Sequence, residues 1–416
     1  MPDPRFPMVE SLAPRDQGSA AASAAQQPAE PAEPSDVRHG GTASVGLSDE
    51  VTVEEGSGAY KPGHFHPVYI GDIFNERYLV LNKLRYGLYS TVWLTNDFLL
   101  PREDEGNAYY ALKVLSAECY GTDKDIFERE ILRHLRDADK THVGYKYICH
   151  LVDDFEHRGP NGTHVIINQN TSRLTSDLDA NSFSNQDIKP DNIFVKVRDK
   201  SLIESQYLKQ VPAPIQERLA GKYLPIPSQP LKRFYFIPDQ SFLDFEVAIG
   251  DWGVSLWADN HLTELIQPVA LRAPEVLIKA PWDATTDWWN LGAMILEVFR
   301  CVRMFDGRGP PHGHYELKQH LREIVAYFGP FPKGLLEKGD AEPVETYFDE
   351  SGHVLGCPAL ELPSLESDDY MDDLDEENRK SFVSFLYALM KIDPKERLST
   401  MDLLRHPWLG IVGLRS

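Results

Sequence analysis

Asp187-Ile188-Lys189-Pro190-Asp191-Asn192, followed by the strand-like Ile193-Phe194-Val195-Lys196-Val197, is the tract on which the reading of this chain turns. It sets a carboxylate, an ammonium and a side-chain amide close together beside a strand. Phosphoryl transfer asks for that spacing: a carboxylate to take up a hydroxyl proton, a cation beside the migrating phosphate and an amide oxygen for a metal ion.

Upstream of the tract, Lys113 lies in the β-rich run Tyr109-Tyr110-Ala111-Leu112-Lys113-Val114-Leu115. On that strand its ammonium would hold the α/β-phosphates of ATP. An amphipathic helix is expected over 125–135, with Phe127, Ile131 and Leu135 on one face. It carries Glu130, the expected partner of Lys113. Downstream, Asp251 in Gly250-Asp251-Trp252-Gly253 would join Asn192 as a metal ligand, while Asp187 takes the hydroxyl proton and Lys189 lies beside the γ-phosphate. Taken singly these residues are ordinary: a strand lysine is commonly an edge charge, Glu130 a solvated helix residue and Asp-Trp-Gly a turn. Their order along the chain carries the inference.

The surroundings suggest a two-lobed α+β fold. Tyr78-Leu79-Val80-Leu81-Asn82-Lys83-Leu84 and Ser90-Thr91-Val92-Trp93-Leu94-Thr95 flank Arg85-Tyr86-Gly87-Leu88-Tyr89 as a hairpin. Helices are expected over 286–304, apolar nearly all round and therefore central, and over 316–328, 379–392 and 400–405. This divides the folded part into a β-rich N-lobe over 63–161 and a helical C-lobe over 162–409. Residues 1–58, rich in Ala, Pro, Glu, Ser and Gly, read as a disordered tail. A Pro-rich insert spans about 198–244, too long for an ordinary connection.

The net charge of −22 disfavours nucleic acid and acidic membranes as partners and favours basic ones. No apolar run is long enough to span a bilayer and no signal-peptide pattern opens the chain, so a soluble protein of the cytoplasm or nucleus is expected. Four dispersed cysteines without a CxxC pair argue against a zinc site or a disulfide framework. The acidic run over 366–377 reads as a solvated loop.

On these residues the chain resembles the eukaryotic protein kinases, and within them the SR-protein-specific kinases and their fungal relatives. The closer likeness rests on Tyr69-Ile70-Gly71-Asp72-Ile73-Phe74-Asn75-Glu76-Arg77-Tyr78, Ser90-Thr91-Val92-Trp93-Leu94 and Leu262-Thr263-Glu264-Leu265-Ile266-Gln267. The resemblance implies a two-lobed kinase-like fold, ATP and Mg²⁺, and transfer to Ser, or Thr, of a protein substrate, Arg/Ser-rich in this family, by an expected monomer. It places Gly87, Val92, Ala111, Lys113 and Glu130 at the nucleotide, Asp187 and Lys189 at the chemistry, and Asn192 and Asp251 at the metal. It gives structural roles to Ala273-Pro274-Glu275, to Arg397 as the partner of Glu275, and to Asp287 as a support of the catalytic-loop backbone.

The chain also departs from the family. Arg85 stands where the first glycine of the phosphate loop is usual, and Ser90 stands at the third. Asn185-Gln186 replaces His-Arg, so basal activity independent of activation-loop phosphorylation is expected. Residues 168–185 are too few for the hinge and the two helices that follow it in the family, which reads as an apparent deletion that would thin the cover over 288–299. A catalytically impaired scaffold is therefore the alternative to an active enzyme.

Overall fold

The computed structural model describes residues 55–100, 108–120, 126–138, 140–141, 144–170, 183–185, 187–197, 199–219, 221–234, 247–257, 263–301, 303–308, 313–356, 360, 362–368 and 370–411. All belong to one unit, Thr52–Ser416.

The N-lobe is a six-stranded antiparallel sheet in the order β1-β2-β3-β4-β6-β5. Its strands are β1 (Ile73–Phe74), β2 (Tyr78–Tyr86), β3 (Ser90–Asp97), β4 (Tyr109–Leu115), β5 (His150–Gly159) and β6 (Gly162–Asn170). Alternation decides the faces. Leu112 and Val114 join Trp93, Val80 and Ile166 in one buried layer. Leu115, Val165 and Ile167 turn to the other face, where Ile131, Leu132 and Leu135 of helix α1 (Glu128–Asp137) cover them. Lys113 shares the parity of Leu115, so it faces the helix.

The boundary expected at residue 161 is a hairpin turn. Gly159 pairs with Gly162 across Pro160-Asn161, and β6 carries the N-lobe sheet on to Asn170. The turn joins two paired strands of one lobe, and Gly162, at φ +138°, supplies backbone freedom that other residues lack. Residues 171–182, on which most of the apparent deletion falls, lie outside the described residues.

Two segments expected to lie apart from the N-lobe pack onto it. Residues 1–54 are outside the described residues, but Glu55 is already folded: its carboxylate lies 2.5 Å from Lys83 Nζ, both side chains at most 2% exposed. A charge buried to that degree needs its partner, and the pair fixes Glu55, a residue expected to belong to a disordered tail, against β2. The Pro-rich insert leaves β8 (Ile193–Val195), forms an irregular helical stretch in which a π-helix over Ile203–Tyr207 runs into α2 (Leu208–Gln210), and then runs extended along the N-lobe. Ile203 and Tyr207 pack with Leu94 and Tyr109, and Ile226 enters the layer of Val68, Tyr78 and Trp93. Tyr223 Oη donates to Val68 O at 2.7 Å and Gln229 N to Lys83 O at 2.7 Å. Proline cannot donate to a ladder, so an extended, side-chain-anchored strap suits this composition. Residues 235–246 lie outside the described residues.

The C-lobe carries β7 (Phe183–Ser184), β8, β9 (Val247–Ile249) and β10 (Leu256–Trp257) in two short pairs, β7 with β10 and β8 with β9. Helices follow: α3 (Pro274–Leu277), α4 (Thr286–Arg300), α5 (Leu317–Phe328), α6 (Lys333–Leu336), α7 (Ala341–Tyr347), α8 (Glu376–Leu389), α9 (Thr400–Leu404) and α10 (Pro407–Ile411). The central helix stops at Arg300, short of Met304, because Cys301 adopts a left-handed backbone at φ +54°. Trp289 is fully buried against Phe305 and Phe328. A Cβ on Gly292 would stand 2.4 Å from Met390 Cγ, so that glycine permits the close approach of the segment that ends α8. Elsewhere on this helix Val298 is 59% exposed. Arg397 holds Glu275 through two hydrogen bonds of 2.6 and 2.7 Å, with both side chains fully buried.

Ile226→Ala should lower the unfolding free energy by about 2–4 kcal/mol in a denaturant titration, since the strap would leave a cavity in the N-lobe layer. Ile215→Ala, on the same strap but 97% exposed, should leave the midpoint unchanged.

Candidate active site

The catalytic-loop backbone hangs from α4. Asp287 Oδ1 accepts from Ser184 Oγ at 2.9 Å and Oδ2 from the backbone N–H of Asn185 at 2.9 Å. Ser255 adds its hydroxyl to Asn185 O at 3.2 Å. Ser255 is itself buried. Gln186 lies outside the described residues.

Pro190 opens a single 3₁₀ turn over Pro190–Asn192, its ring fitting a position whose N–H would be unpaired. The turn brings Asn192 back onto Asp187: Asn192 Nδ2 donates to Asp187 Oδ2 at 2.8 Å and to Asp187 O at 3.0 Å. Lys189 Nζ lies 2.8 Å from the same Oδ2. Burial pushes the Asp187 carboxyl up from its ordinary value, against the hydrogen bond and charge of Lys189.

The two halves of the site meet through backbone. β8 pairs with β9, and Gly250 N donates to Asn192 O at 3.0 Å. A Cβ on Gly250 would lie 2.9 Å from both Cys149 Sγ and the Phe194 ring, so only glycine allows this approach. Asp251 follows with φ +61°, a left-handed conformation unusual outside glycine, which turns its carboxylate toward the N-lobe.

There Lys113 is held between two carboxylates, with Nζ 2.6 Å from Glu128 Oε1 and 2.8 Å from Asp251 Oδ1. The nearby Lys113 ammonium, more than any other group, holds Asp251 well below the usual carboxylate range. Burial works against the charge on Lys113, but Glu128 and Asp251 outweigh it and raise its pKa. Val92 is buried directly opposite Lys113 on β3, Ala111 is half-buried on the same face of β4 as Lys113, and Gly87 is exposed in the β2–β3 loop.

One expected partner is wrong. Glu130 is exposed, and Glu128 is the residue that meets Lys113. Two residues along a helix is about 200° of rotation, so the two glutamates point to opposite sides. The signal was present in the sequence, because Glu128 shares a stripe with Ile131, Leu132 and Leu135. Arg85 is a second residue of the site whose contact the sequence did not reveal. Its Nη2 lies 3.0 Å from Asp251 Oδ2, and its guanidinium covers the Phe194 ring at 5.0 Å.

A family model described as the protein kinase domain matches residues 236–409. A serine/threonine protein kinase of Aspergillus fumigatus is 30% identical over 377 residues, an alignment covering 86% of this chain and 90% of that protein. The serine/threonine-protein kinase SRPK of Physarum polycephalum is 25% identical, covering 86% and 92%. Protein kinase dsk1 of Schizosaccharomyces pombe is 26% identical, covering 86% and 85%. Among solved structures, a kinase domain superposes with a TM-score of 0.52 at 18% identity, covering 83% of this chain and 99% of that one, which supports the fold alone. An ion-paired strand lysine, a loop carboxylate that accepts from a side-chain amide and a relative matched at 30% over nine-tenths of its length together assign the chain to the serine/threonine protein kinases.

Proposed function

We propose that this kinase transfers the γ-phosphate of ATP, with Mg²⁺, to Ser or Thr hydroxyls of Arg/Ser-rich protein segments. The observation that carries the catalytic part is the joining of Glu128, Lys113 and Asp251 in one chain of ion pairs, next to a loop in which Asp187 is flanked by Lys189 and Asn192. The alternative, a scaffold without catalysis, offers no reason for those groups to be assembled.

The donor set suits the metal. Asn192 offers an amide oxygen and Asp251 a carboxylate, hard oxygen ligands of the kind Mg²⁺ takes, with Gly250 N tying their backbones together. When bound, the metal would neutralise charge on the phosphates and leave the protein to position and deprotonate. Lys113, steadied by Glu128, presents an ammonium to the α/β-phosphates. Val92 and Ala111 offer apolar surface on its two strands for the base. Asp187 accepts the proton of the substrate hydroxyl as that oxygen bonds to the γ-phosphorus and the bond from phosphorus to the β–γ bridging oxygen breaks, with ADP leaving, and Lys189 offsets negative charge on the phosphate being moved.

Substrate class rests on two supports. The net charge of −22 favours basic partners. The relatives also include proteins named SRPK and SRSF protein kinase 3.

Phosphate transfer to an Arg/Ser peptide should be measured with the wild type and with Asp187→Ala. A loss on the order of a thousandfold is expected for the variant, and equal silence of two folded proteins would sink the enzyme reading. Glu128→Gln should cost on the order of 100-fold in kcat/KM through a misplaced Lys113, whereas Glu130→Gln should leave it unchanged. Asp187 must be ionised to accept a proton, so activity should fall as pH drops through its raised pKa. Lys189→Met removes the main opposing influence and should move that acid limb to higher pH.

A further inference from the structure

Asp251 is the carboxylate assigned above to the metal, yet both of its oxygens already face cations. Oδ1 is 2.8 Å from Lys113 Nζ and Oδ2 is 3.0 Å from Arg85 Nη2. Lys113 belongs to the phosphate-binding apparatus and is shared with Glu128. Arg85 has no such standing: it occupies a phosphate-loop position where a side chain is unexpected.

Its placement spans the cleft. The backbone of Arg85 is anchored near the end of β2, paired with Val92 of β3. The guanidinium crosses to the other lobe, where the Phe194 ring of β8 supports one face at 5.0 Å and Asp251 takes an N–H. An N-lobe residue is thus gripped by two C-lobe groups. Asp251 cannot readily turn away, because Lys113 holds its other oxygen and its own backbone sits at φ +61°.

The charge balance points the same way. Arg85, Lys113 and Lys189 face Glu128, Asp251 and Asp187, three cations against three carboxylates. Without Arg85 the set would carry one net negative charge, better suited to a divalent ion. With Arg85 in place, a metal approaching Oδ2 meets a like charge within hydrogen-bonding distance of the atom it needs.

We propose that Arg85 is a built-in counter-cation for the metal carboxylate, holding Asp251 and the cleft in a latched state until a divalent ion arriving with nucleotide displaces it. The inference rests on the kinase reading of Asp251 and makes this arginine the residue that sets the metal requirement. Because the guanidinium is about one-third exposed, the latch is a reversible competitor. It raises the metal concentration needed for half-occupancy and leaves the saturated site intact.

The test is Mn²⁺ binding, followed by the electron paramagnetic resonance signal of the free ion, in the presence of a saturating non-hydrolysable ATP analogue. Wild type, Arg85→Ala, Arg85→Gln, Asp251→Ala and Lys333→Ala would be compared, each with its unfolding midpoint. Lys333→Ala changes net charge as the arginine variants do, on an 82% exposed side chain of α6. Both Arg85 variants should bind Mn²⁺ roughly tenfold more tightly than wild type, the size of an ordinary coupling between sites, while Lys333→Ala matches wild type. Arg85→Gln keeps the stem and a donor, so its agreement with Arg85→Ala would assign the effect to charge and not to packing. Wild-type binding too weak to detect, recovered in either Arg85 variant, would also support the latch. If wild type and the Arg85 variants bind alike, and all bind better than Asp251→Ala, the latch is wrong and the kinase site stands. If none binds better than Asp251→Ala, the metal assignment fails and the latch fails with it.

Discussion

Lys113 is the group on which the rest of the site depends. It is a nearly buried ammonium, and such a charge is tolerable only with partners in contact. Glu128 of α1 and Asp251 beyond β9 supply them, so a single cation ties a strand, a helix and the far lobe together. The position of α1 against the sheet, the left-handed turn at Asp251 and the glycine before it all serve that meeting. Lys113 mispositioned by an ångström would leave the buried Glu128 carboxylate unpaired and Asp251 held from the Arg85 side alone.

Around this centre the chain compensates for its unusual parts with local packing. The strap of residues 199–234 starts from the strand that follows the catalytic loop and seats Ile226 in the N-lobe layer, so the loop and the sheet share a connection apart from the cleft itself. Glu55 adds a buried ion pair on Lys83, whose Nζ also donates to Ile226 O at 3.1 Å. N-terminal flank and insert thereby brace the same strand. In the C-lobe, Asp287 and the Arg397–Glu275 pair hold backbone in place and take no part in chemistry. The loop of Asp187 is thus supported from below by α4 and joined to the segment that follows β9 by the Gly250–Asn192 hydrogen bond.

Much of the site was legible along the chain because its chemistry is local. Asp187, Lys189 and Asn192 lie within six positions, and Pro190 between them is enough to fold the amide back onto the carboxylate. Lys113 was legible from strand character and motif order, and Asp287 only through the family resemblance. The errors came where a decision depended on direction in space. Glu130 and Glu128 are both acidic residues early in one helix, and only the covered face separates them. The lobe boundary expected at residue 161 falls on a hairpin turn within the N-lobe sheet. Arg85 was visible as a departure from a glycine pattern, but nothing in its neighbours in sequence reveals that it reaches across to Asp251.

Sequence alone determined the family, the two-lobed α+β plan and the identity of the loop residues, because hydrophobic period, turn chemistry and short motif spacing act over a few residues. Tertiary structure decided which glutamate pairs with Lys113, that the Pro-rich insert belongs to the N-lobe surface, and that Arg85 shares Asp251 with Lys113. Those outcomes depend on burial and Coulomb contact between groups up to 166 positions apart along the chain, and such distances close only when both lobes have folded.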